Sequence, residues 1–218
     1  MPQFIDLSHT ITDGLITYKG LPAPIICDFL SREASKKVYA DGTTFQIGKI
    51  EMCSNTGTYL DTPFHRYAEG RDLADLDLSE VAGLPGIKVC IPPHVQSIGP
   101  EFFEGLPLAG KAVLVETNWS RHWNTEQYYE AHPHLTATAA SYLQEQGVRL
   151  VGIDTYNIDD VAGKERPVHS ILLGSDILIV EHMCNLQAVP NSGFQFYAVP
   201  IKVKGMGTFP VRAFAQLD

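Results

Sequence analysis

Residues 136–154 read TATAASYLQEQGVRLVGID, a helix signal followed directly by a strand signal. Thr136 is a suitable N-cap, the apolar residues of the next turns share one side, and Gly147 is a natural C-terminal stop, so the pattern predicts a helix over 136–147. The apolar run at 148–154 is typical of a strand that is buried on both faces. A helix that leads into such a strand indicates an α/β fold.

Further strand signals lie on both sides of this stretch. They cover 4–11, 24–31, 43–52, 86–91, 111–116, 176–182, 194–203 and 210–215. A helix of one or two turns is predicted at 169–174. Because strands outnumber helices and mix with them along the chain, the sequence predicts an α/β domain with a mixed sheet, not a regular doubly wound one. The length favours a single domain over 1–218.

The composition is that of a soluble globular protein, with 44% hydrophobic and 19% charged residues. The net charge of −9 argues against a nucleic-acid partner, because such a surface needs clustered Lys and Arg. The four cysteines form no CxxC pair, which argues against a zinc knuckle. No run approaches the roughly 18 apolar residues that would span a membrane, so a cytoplasmic protein with a small-molecule substrate is expected.

The stretch CSNTGTYLDTPFH, residues 53–65, has the residue types of a metal-binding turn. Gly57 allows a tight backbone and Pro63 stiffens the exit. Asp61 offers a hard oxygen ligand, and His65, four residues later, can act as a ligand or as a proton carrier. The alternative is a surface turn in which the aspartate is solvated and the histidine bonds to the backbone.

A second candidate segment is PVHSILLGSDILIVEH, residues 167–182. His169 opens a helical turn, and Glu181 follows an apolar run where a carboxylate needs a cation or strong hydrogen bonds. The alternative is that the strand ends at Glu181 and its side chain points into water. His182 faces the other side if the segment is a strand, so we leave it out of the site.

Two further segments carry weaker signals. Trp119 and Trp123 can line an aromatic substrate pocket, or they can belong to a packed loop or a subunit contact. Polar residues at 154–160 follow an apolar run, where loop residues often build sites, although helix capping explains them equally well. The sequence has no GxSxG elbow, P-loop or dinucleotide fingerprint, which lowers the support for nucleophilic-serine and nucleotide chemistry.

Taken in order, six blocks resemble the cyclase family of metal-dependent hydrolases, which includes bacterial kynurenine formamidase and isatin hydrolase. GTYLDTPFH at 57–65 resembles the signature H-x-G-T-H-x-D-x-P-x-H of that family. The other blocks are IDLSHTI, VGIDTYNID, PVHSILL, IVEHMCNL and FPVRAFA. The resemblance runs nearly end to end, which favours membership of the family.

The resemblance implies an α/β fold of the swivelling β/β/α type, with a mixed, partly barrel-like sheet packed against helices. It also implies hydrolysis of a C–N bond in a small amide, formamide or lactam, assisted by Zn²⁺ or Mn²⁺. Carried over by position, Asp61, His169 and Glu181 are metal ligands, and His65 moves protons. Family members generally associate, so a homodimer or larger homo-oligomer is expected, with the aromatic segment 119–129 as contact surface.

Two signature histidines are replaced by Asn55 and Tyr59. An Asn amide is a weak oxygen donor, and Tyr binds metal well only as a phenolate, which its usual pKa of about 10 makes costly. We therefore predict a site reduced to one metal, with Asn55 contacting substrate and Tyr59 donating a hydrogen bond to the developing oxyanion. The alternatives are a metal-free cyclase or dehydratase that uses Tyr59 and His65 as an acid–base pair, and a non-catalytic small-molecule-binding protein.

Overall fold

The computed structural model describes residues 2–217, and this part of the chain forms thirteen strands and three α-helices. The strands are β1 Gln3–Asp6, β2 Ile25–Leu30, β3 Ile47–Glu51, β4 Tyr59–Asp61, β5 Leu84–Cys90, β6 Ser97–Ile98, β7 Ala112–Glu116, β8 His134–Leu135, β9 Leu150–Ile153, β10 Leu178–Glu181, β11 Ser192–Tyr197, β12 Thr208–Pro210 and β13 Phe214–Leu217. The helices are α1 Arg32–Ser35, α2 Ala137–Glu145 and α3 Pro167–Leu173.

Nine strands form one mixed sheet in the order β1-β13-β11-β5-β7-β9-β10-β4-β12. The central strands β5, β7, β9 and β10 run parallel to one another, and the strands on either side pair antiparallel. The sheet curls into a half-barrel with few helices, which confirms the predicted fold class.

Both faces of the central sheet are buried. In β7, Val113 and Val115 pack into the apolar cluster that includes α2 and α3, whereas Ala112 and Leu114 pack into a second cluster. Side chains alternate between the faces of a strand, so a run of consecutive apolar residues is what such a strand requires. The prediction of strands buried on both faces is confirmed.

The two longer helices begin and end for local reasons. Thr136 caps α2 by accepting a hydrogen bond from the Ala139 N–H at 3.1 Å, and Gly147 has a left-handed φ of 70° just beyond its end. Helix α3 begins two residues before the predicted position because Pro167 fits the first turn of a helix. No helix among residues 2–217 is long and apolar enough to cross a membrane.

Several predicted strands are shorter than their apolar patterns, and the run at 43–52, for example, is a strand only over β3. The run at 4–11 is a strand only over β1, and the Asp6 carboxylate then accepts a hydrogen bond from the Ser8 N–H. The run at 194–203 ends as a strand at Tyr197, ahead of Pro200, which lacks the N–H that a ladder needs. The run at 210–215 divides between β12 and β13.

Strand β4 brings distant segments together because it lies between β10 and β12. Its register places Tyr59 opposite Glu181 of β10 and Asp61 opposite Thr208 of β12. Directly opposed residues of antiparallel strands project from the same face of a sheet. This edge of the sheet therefore places four polar side chains side by side.

Candidate active site

A cavity of about 290 Å³ opens beside β4 and α3. Its lining residues are Tyr18, Leu21, Asn55, Tyr59, His65, Arg66, Asn157, Arg166, His169 and Glu181. A concave site of this kind, with an apolar wall and a few convergent polar groups, is typical of a small-molecule site. Five residues that the sequence singled out are thus brought together.

Asp61 is fully buried, and its two carboxylate oxygens have different surroundings. Oδ1 accepts a hydrogen bond from the hydroxyl of Thr208. Oδ2 is buried and has no hydrogen-bond partner among the described residues. Because an unpaired buried carboxylate oxygen is costly, this atom marks a position where a cation is expected.

His169 is oriented by a second aspartate. Its Nδ1 lies 2.6 Å from Oδ2 of Asp159, and the same carboxylate accepts the backbone N–H groups of Val168 and His169 at 2.7 and 3.0 Å. The Asp159 carboxylate holds the proton on Nδ1, so in the neutral imidazole Nε2 carries the lone pair that a metal requires. The polar residues at 154–160 were explained either as part of a site or as helix caps. Asp159 does both, because it accepts the first N–H groups of α3 and orients the His169 imidazole.

Glu181 is 1% exposed, so the alternative that it points into water is wrong. Its Oε2 accepts the Tyr59 hydroxyl at 2.7 Å, and its Oε1 accepts the backbone N–H of Ile158 at 2.6 Å. Oε1 also lies 3.8 Å from Nε2 of His169. The carboxylate is therefore fixed in place with one oxygen toward the imidazole.

Glu181 and His169 both have a raised pKa. Burial raises the pKa of Glu181 to about 7. For His169, burial alone would lower the pKa, but the hydrogen bond to Asp159 and the nearby charges of Glu181 and Asp61 outweigh it and raise the pKa to about 10. An ion that takes Nε2 of His169 must displace that proton, so metal binding should tighten as the pH rises.

Asp61 and Glu181 each place a carboxylate oxygen near the same imidazole nitrogen. Nε2 of His169 lies 3.8 Å from Oδ2 of Asp61 and 3.8 Å from Oε1 of Glu181. Two ligand atoms on one tetrahedral zinc ion are about 3.4 Å apart, which is a few tenths of an ångström closer. Two carboxylates and one imidazole suit Zn²⁺ or Mn²⁺. Asp61, His65 and His169 also offer ligand atoms within 4.8 Å of one another, so His65 is a rival third ligand.

His65 is held by Thr208 and is one-third exposed. Its Nδ1 lies 2.9 Å from the Thr208 hydroxyl oxygen, and its side chain is 36% exposed. Thr208 has one proton, which it donates to the Asp61 carboxylate, so its oxygen accepts from an Nδ1–H of His65. Neutral His65 then carries its lone pair on Nε2, which makes Nε2 the atom able to take up a proton.

Tyr59 is buried and keeps its proton. Burial first, and then the charges of Glu181 and Asp61, raise its pKa well above the usual value of 10.0. Its hydroxyl donates to Glu181. Donation to a developing oxyanion stays a prediction. Asn55 lines the cavity, and its Oδ1 accepts from the Ser54 hydroxyl at 3.2 Å.

His182 belongs to the surroundings of the site, contrary to the prediction that it faces away. It has a left-handed φ of 55° immediately after β10, so the alternation of a strand no longer applies. Its Nε2 lies 3.2 Å from the Tyr59 hydroxyl, and its Nδ1 lies 2.9 Å from the hydroxyl of Tyr128. Since Tyr59 gives its proton to Glu181, hydrogen bonds run in one direction from Tyr128 through His182 and Tyr59 to Glu181.

The two tryptophans lie outside the cavity lining. Trp119 donates its indole N–H to the backbone oxygen of Tyr128 at 3.0 Å. Trp123 stacks on His9 with ring centroids 3.9 Å apart and meets His182 edge-on. The packed-loop alternative describes these surroundings, because Trp119 bonds to the backbone of its own loop and Trp123 packs against His9 and His182.

Comparisons with known proteins agree with this architecture. The Cyclase family model matches residues 5–160. Kynurenine formamidase from Bacillus cereus is 31% identical over 212 residues, covering 97% of this chain and 96% of that protein. The kynurenine formamidase of Bacillus mycoides is 30% identical with the same coverage.

Solved structures share the fold over almost the whole chain. Isatin hydrolase A from Labrenzia aggregata, bound to benzyl benzoate, superposes with a TM-score of 0.83 at 21% identity, covering 99% of this chain and 94% of that chain. A potential metal-dependent hydrolase with cyclase activity gives 0.82 at 23% identity, covering 100% and 99%. The family model and the end-to-end relatives together confirm the resemblance carried by the ordered motifs: this chain belongs to the cyclase family.

Proposed function

We propose that this protein is a metal-dependent hydrolase that cleaves a C–N bond in a small amide, formamide or lactam with one divalent ion, Zn²⁺ or Mn²⁺. The observation that carries the proposal is the buried, unpartnered Oδ2 of Asp61, which lies 3.8 Å from the Nε2 of His169. The similarity to kynurenine formamidases favours a formamide or a related amide as substrate.

Asp61, His169 and Glu181 would hold the ion, and each has a neighbour that fixes its direction. Thr208 orients Asp61, Asp159 orients His169, and Tyr59 with a backbone N–H orients Glu181. When bound, a divalent ion in such a site activates a water molecule and polarises the substrate carbonyl. The protein's own contribution is a rigid ligand set that needs no rearrangement during the reaction.

His65 moves the proton in this proposal. Its Nε2 carries the free lone pair and its side chain reaches the cavity. The imidazole takes up a proton from the attacking water at Nε2 and delivers it to the departing nitrogen. A histidine suits both steps because its usual pKa lies near neutral pH.

Hydrolysis of formanilide, a simple aryl formamide, tests the proposed function. We expect turnover that disappears on treatment with a chelator and returns on addition of Zn²⁺ or Mn²⁺. Turnover that survives complete metal removal would favour the metal-free alternative with Tyr59 and His65. Absence of turnover on formanilide and on a panel of aryl amides and lactams would favour a non-catalytic binding protein.

The double variant Asn55→His/Tyr59→His tests the interpretation of the reduced site. It removes the hydroxyl that occupies Oε2 of Glu181 and supplies two imidazoles beside that oxygen. Metal content should rise from about one to about two ions per chain, as measured by elemental analysis. Tyr59→Phe is the matched control, because it frees the same oxygen without adding a ligand and should bind no extra metal. A well-folded double variant with unchanged metal content would show that this loop lacks the geometry of a second site.

We also propose that the chain forms a homodimer or a larger homo-oligomer. The ribbon of β2 and β3 stands apart from the main sheet and exposes large apolar side chains, among them Phe29 at 75% and Ile50 at 58%. Several large apolar side chains exposed on one ribbon are typical of a protein contact. This ribbon offers more apolar surface than the segment 119–129, whose tryptophans are partly buried.

Light scattering at micromolar concentration should show at least twice the chain mass of 24.0 kDa. Phe29→Lys/Ile50→Lys should shift the species toward the monomer, because it places charge in the apolar contact. Leu78→Lys is the control, since Leu78 is 71% exposed but lies outside the ribbon. A 24.0 kDa species in the unaltered protein would contradict the proposal.

A further inference from the structure

Three buried side chains form a series of hydrogen bonds that ends on Glu181. The Tyr59 hydroxyl donates to Oε2 of Glu181 at 2.7 Å. Nε2 of His182 lies 3.2 Å from the same hydroxyl oxygen, and Nδ1 of His182 lies 2.9 Å from the hydroxyl of Tyr128. Tyr59 and Tyr128 are each 1% exposed and His182 is fully buried, so bulk water does not compete for these bonds. The proposed function gives His182 and Tyr128 no role.

The proton of the Tyr59 hydroxyl has two possible acceptors, Oε2 of Glu181 and Nε2 of His182. If Nε2 carried a lone pair, the imidazole would compete with the carboxylate for this proton. If Nε2 carries the ring proton, it donates to the Tyr59 oxygen, and Glu181 is the acceptor that remains. The tautomer of His182 therefore decides whether Glu181 keeps the hydrogen bond from Tyr59.

The number of buried donors and acceptors selects this tautomer. Both ring nitrogens of His182 face phenol hydroxyls and no carboxylate, which suits a neutral imidazole. Among residues 2–217 the Tyr128 hydroxyl has one hydrogen-bond partner, Nδ1 of His182. If Tyr128 donates to Nδ1, the ring proton lies on Nε2 and every donor in the series has an acceptor. In the opposite direction the Tyr128 proton would be buried without an acceptor and Glu181 would lose a donor, and both changes are costly.

The backbone of His182 adopts a strained conformation that makes this contact possible. Its φ of 55° is left-handed, which is uncommon for a residue with a side chain. The Thr58 hydroxyl donates to the His182 carbonyl at 2.5 Å, and the Met183 N–H donates to the Ile153 carbonyl at 3.1 Å. These bonds hold the turn that brings His182 to Tyr59, where continued alternation along β10 would have turned it away. Strain that neighbouring bonds enforce is frequent at functional sites.

The segment 119–129 fixes the far end of the series. Trp119 donates its indole N–H to the backbone oxygen of Tyr128 at 3.0 Å, and the Tyr128 N–H donates to the Thr125 carbonyl at 3.1 Å. Trp123 meets the Tyr128 ring edge-on, with ring centroids 5.1 Å apart. The aromatic segment thus holds the Tyr128 hydroxyl in place behind His182.

We propose that Tyr128 and His182 are positioning residues for Glu181. Tyr128 selects the tautomer of His182 that donates to Tyr59, and Tyr59 then holds the Glu181 carboxylate with its other oxygen toward His169. The effect on metal binding rests on the proposed function, because it requires Glu181 to be a ligand. The direction of the hydrogen bonds does not rest on it.

Nitrogen-15 NMR of the metal-free protein tests the direction of the series, because the two ring nitrogens give different signals with and without a proton. We expect the proton of His182 on Nε2 and a hydrogen-bonded lone pair on Nδ1. In Tyr128→Phe the Nδ1 signal should change and the fraction protonated on Nε2 should fall, because the selecting donor is gone. A proton on Nδ1 in the unaltered protein, or no response to Tyr128→Phe, would overturn the proposal.

A double-mutant cycle on Zn²⁺ affinity tests the positioning role. Tyr59→Phe should weaken binding by about 10-fold, the lower end of the scale for a lost partner of a metal ligand. Tyr128→Phe should also weaken binding, although its hydroxyl does not touch Glu181. If Tyr128 acts through Tyr59, adding Tyr128→Phe to Tyr59→Phe should cause no further loss. Two losses that multiply, or unchanged affinity in Tyr128→Phe, would overturn the proposal.

Tyr129→Phe is the matched control. It removes the hydroxyl of the neighbouring tyrosine, which donates to the Ile16 carbonyl outside the series, and it should leave both the His182 signals and the Zn²⁺ affinity unchanged. If the His182 signals respond to Tyr128→Phe while the unaltered protein binds no Zn²⁺, the hydrogen-bond series stands and the proposed metal-dependent function fails. If the protein binds one Zn²⁺ with an affinity that does not depend on Tyr128, the function stands and the positioning role fails.

Discussion

Asp61→Asn should empty the site of metal and lower turnover by about 10³-fold or more. The substitution keeps the size of the side chain but replaces the unpartnered Oδ2 with an NH₂ group, which cannot bind a cation. The magnitude follows because a catalytic metal contributes several kcal/mol of transition-state stabilisation and about 1.4 kcal/mol corresponds to a factor of ten. Metal content by elemental analysis and turnover of formanilide should fall together.

Asp154→Asn is the matched control for that experiment. Asp154 is also a buried carboxylate at the end of a central strand, but its oxygens are satisfied by Thr117 and Asn118 and it does not line the cavity. This variant can lower folding stability, yet it should retain metal. Full metal content in Asp61→Asn would show that Asp61 is not a ligand.

His65→Ala should leave metal content nearly intact while lowering turnover by about 10²-fold or more, the usual scale for a lost acid–base group. His65 is tied to the site through Thr208 and is not needed to hold the ion in our assignment. His94→Ala is the control, because His94 is exposed and outside the cavity lining. Loss of metal from His65→Ala would instead make His65 the third ligand, as its proximity to Asp61 and His169 allows.

Local sequence patterns were sufficient to predict the helices and strands and some of the residues of the candidate site. The sequence directly shows the N-cap and C-terminal glycine of α2 and the apolar runs of the central strands. Each of these features involves residues that are close together in the chain. Asp61 and His65 were identifiable because their spacing lies within one turn. Glu181 was identifiable because a carboxylate after an apolar run is unusual.

Other features of the site depend on contacts that no local pattern records. Tyr59 meets Glu181, 122 residues away, only because β4 pairs with β10 in one register. The role of Tyr59 follows from that pairing and not from its position in the motif. His182 was misassigned because a left-handed residue after a strand is not visible in an alternation pattern. Thr208 carried no signal of its own, since it pairs with Asp61 from the far end of the chain.

Arg66 and Arg166, which line the cavity, were also absent from the sequence-based set. Arg66 and Arg166 lie next to residues that were predicted, but an isolated arginine is an ordinary surface residue until a structure shows that it faces a cavity. The single domain over 1–218 and the cytoplasmic location stay predictions.

Titration of metal-free protein with Zn²⁺ or Mn²⁺, with formanilide turnover as the readout, tests the central claim most directly. In our proposal Asp61, His169 and Glu181 hold one ion, and the Tyr59 hydroxyl donates to the other oxygen of Glu181. Turnover should rise in proportion to added metal and reach its limit at about one equivalent per chain. Full turnover below about 0.2 equivalents, or a limit reached only at two equivalents, would contradict a single-metal hydrolase.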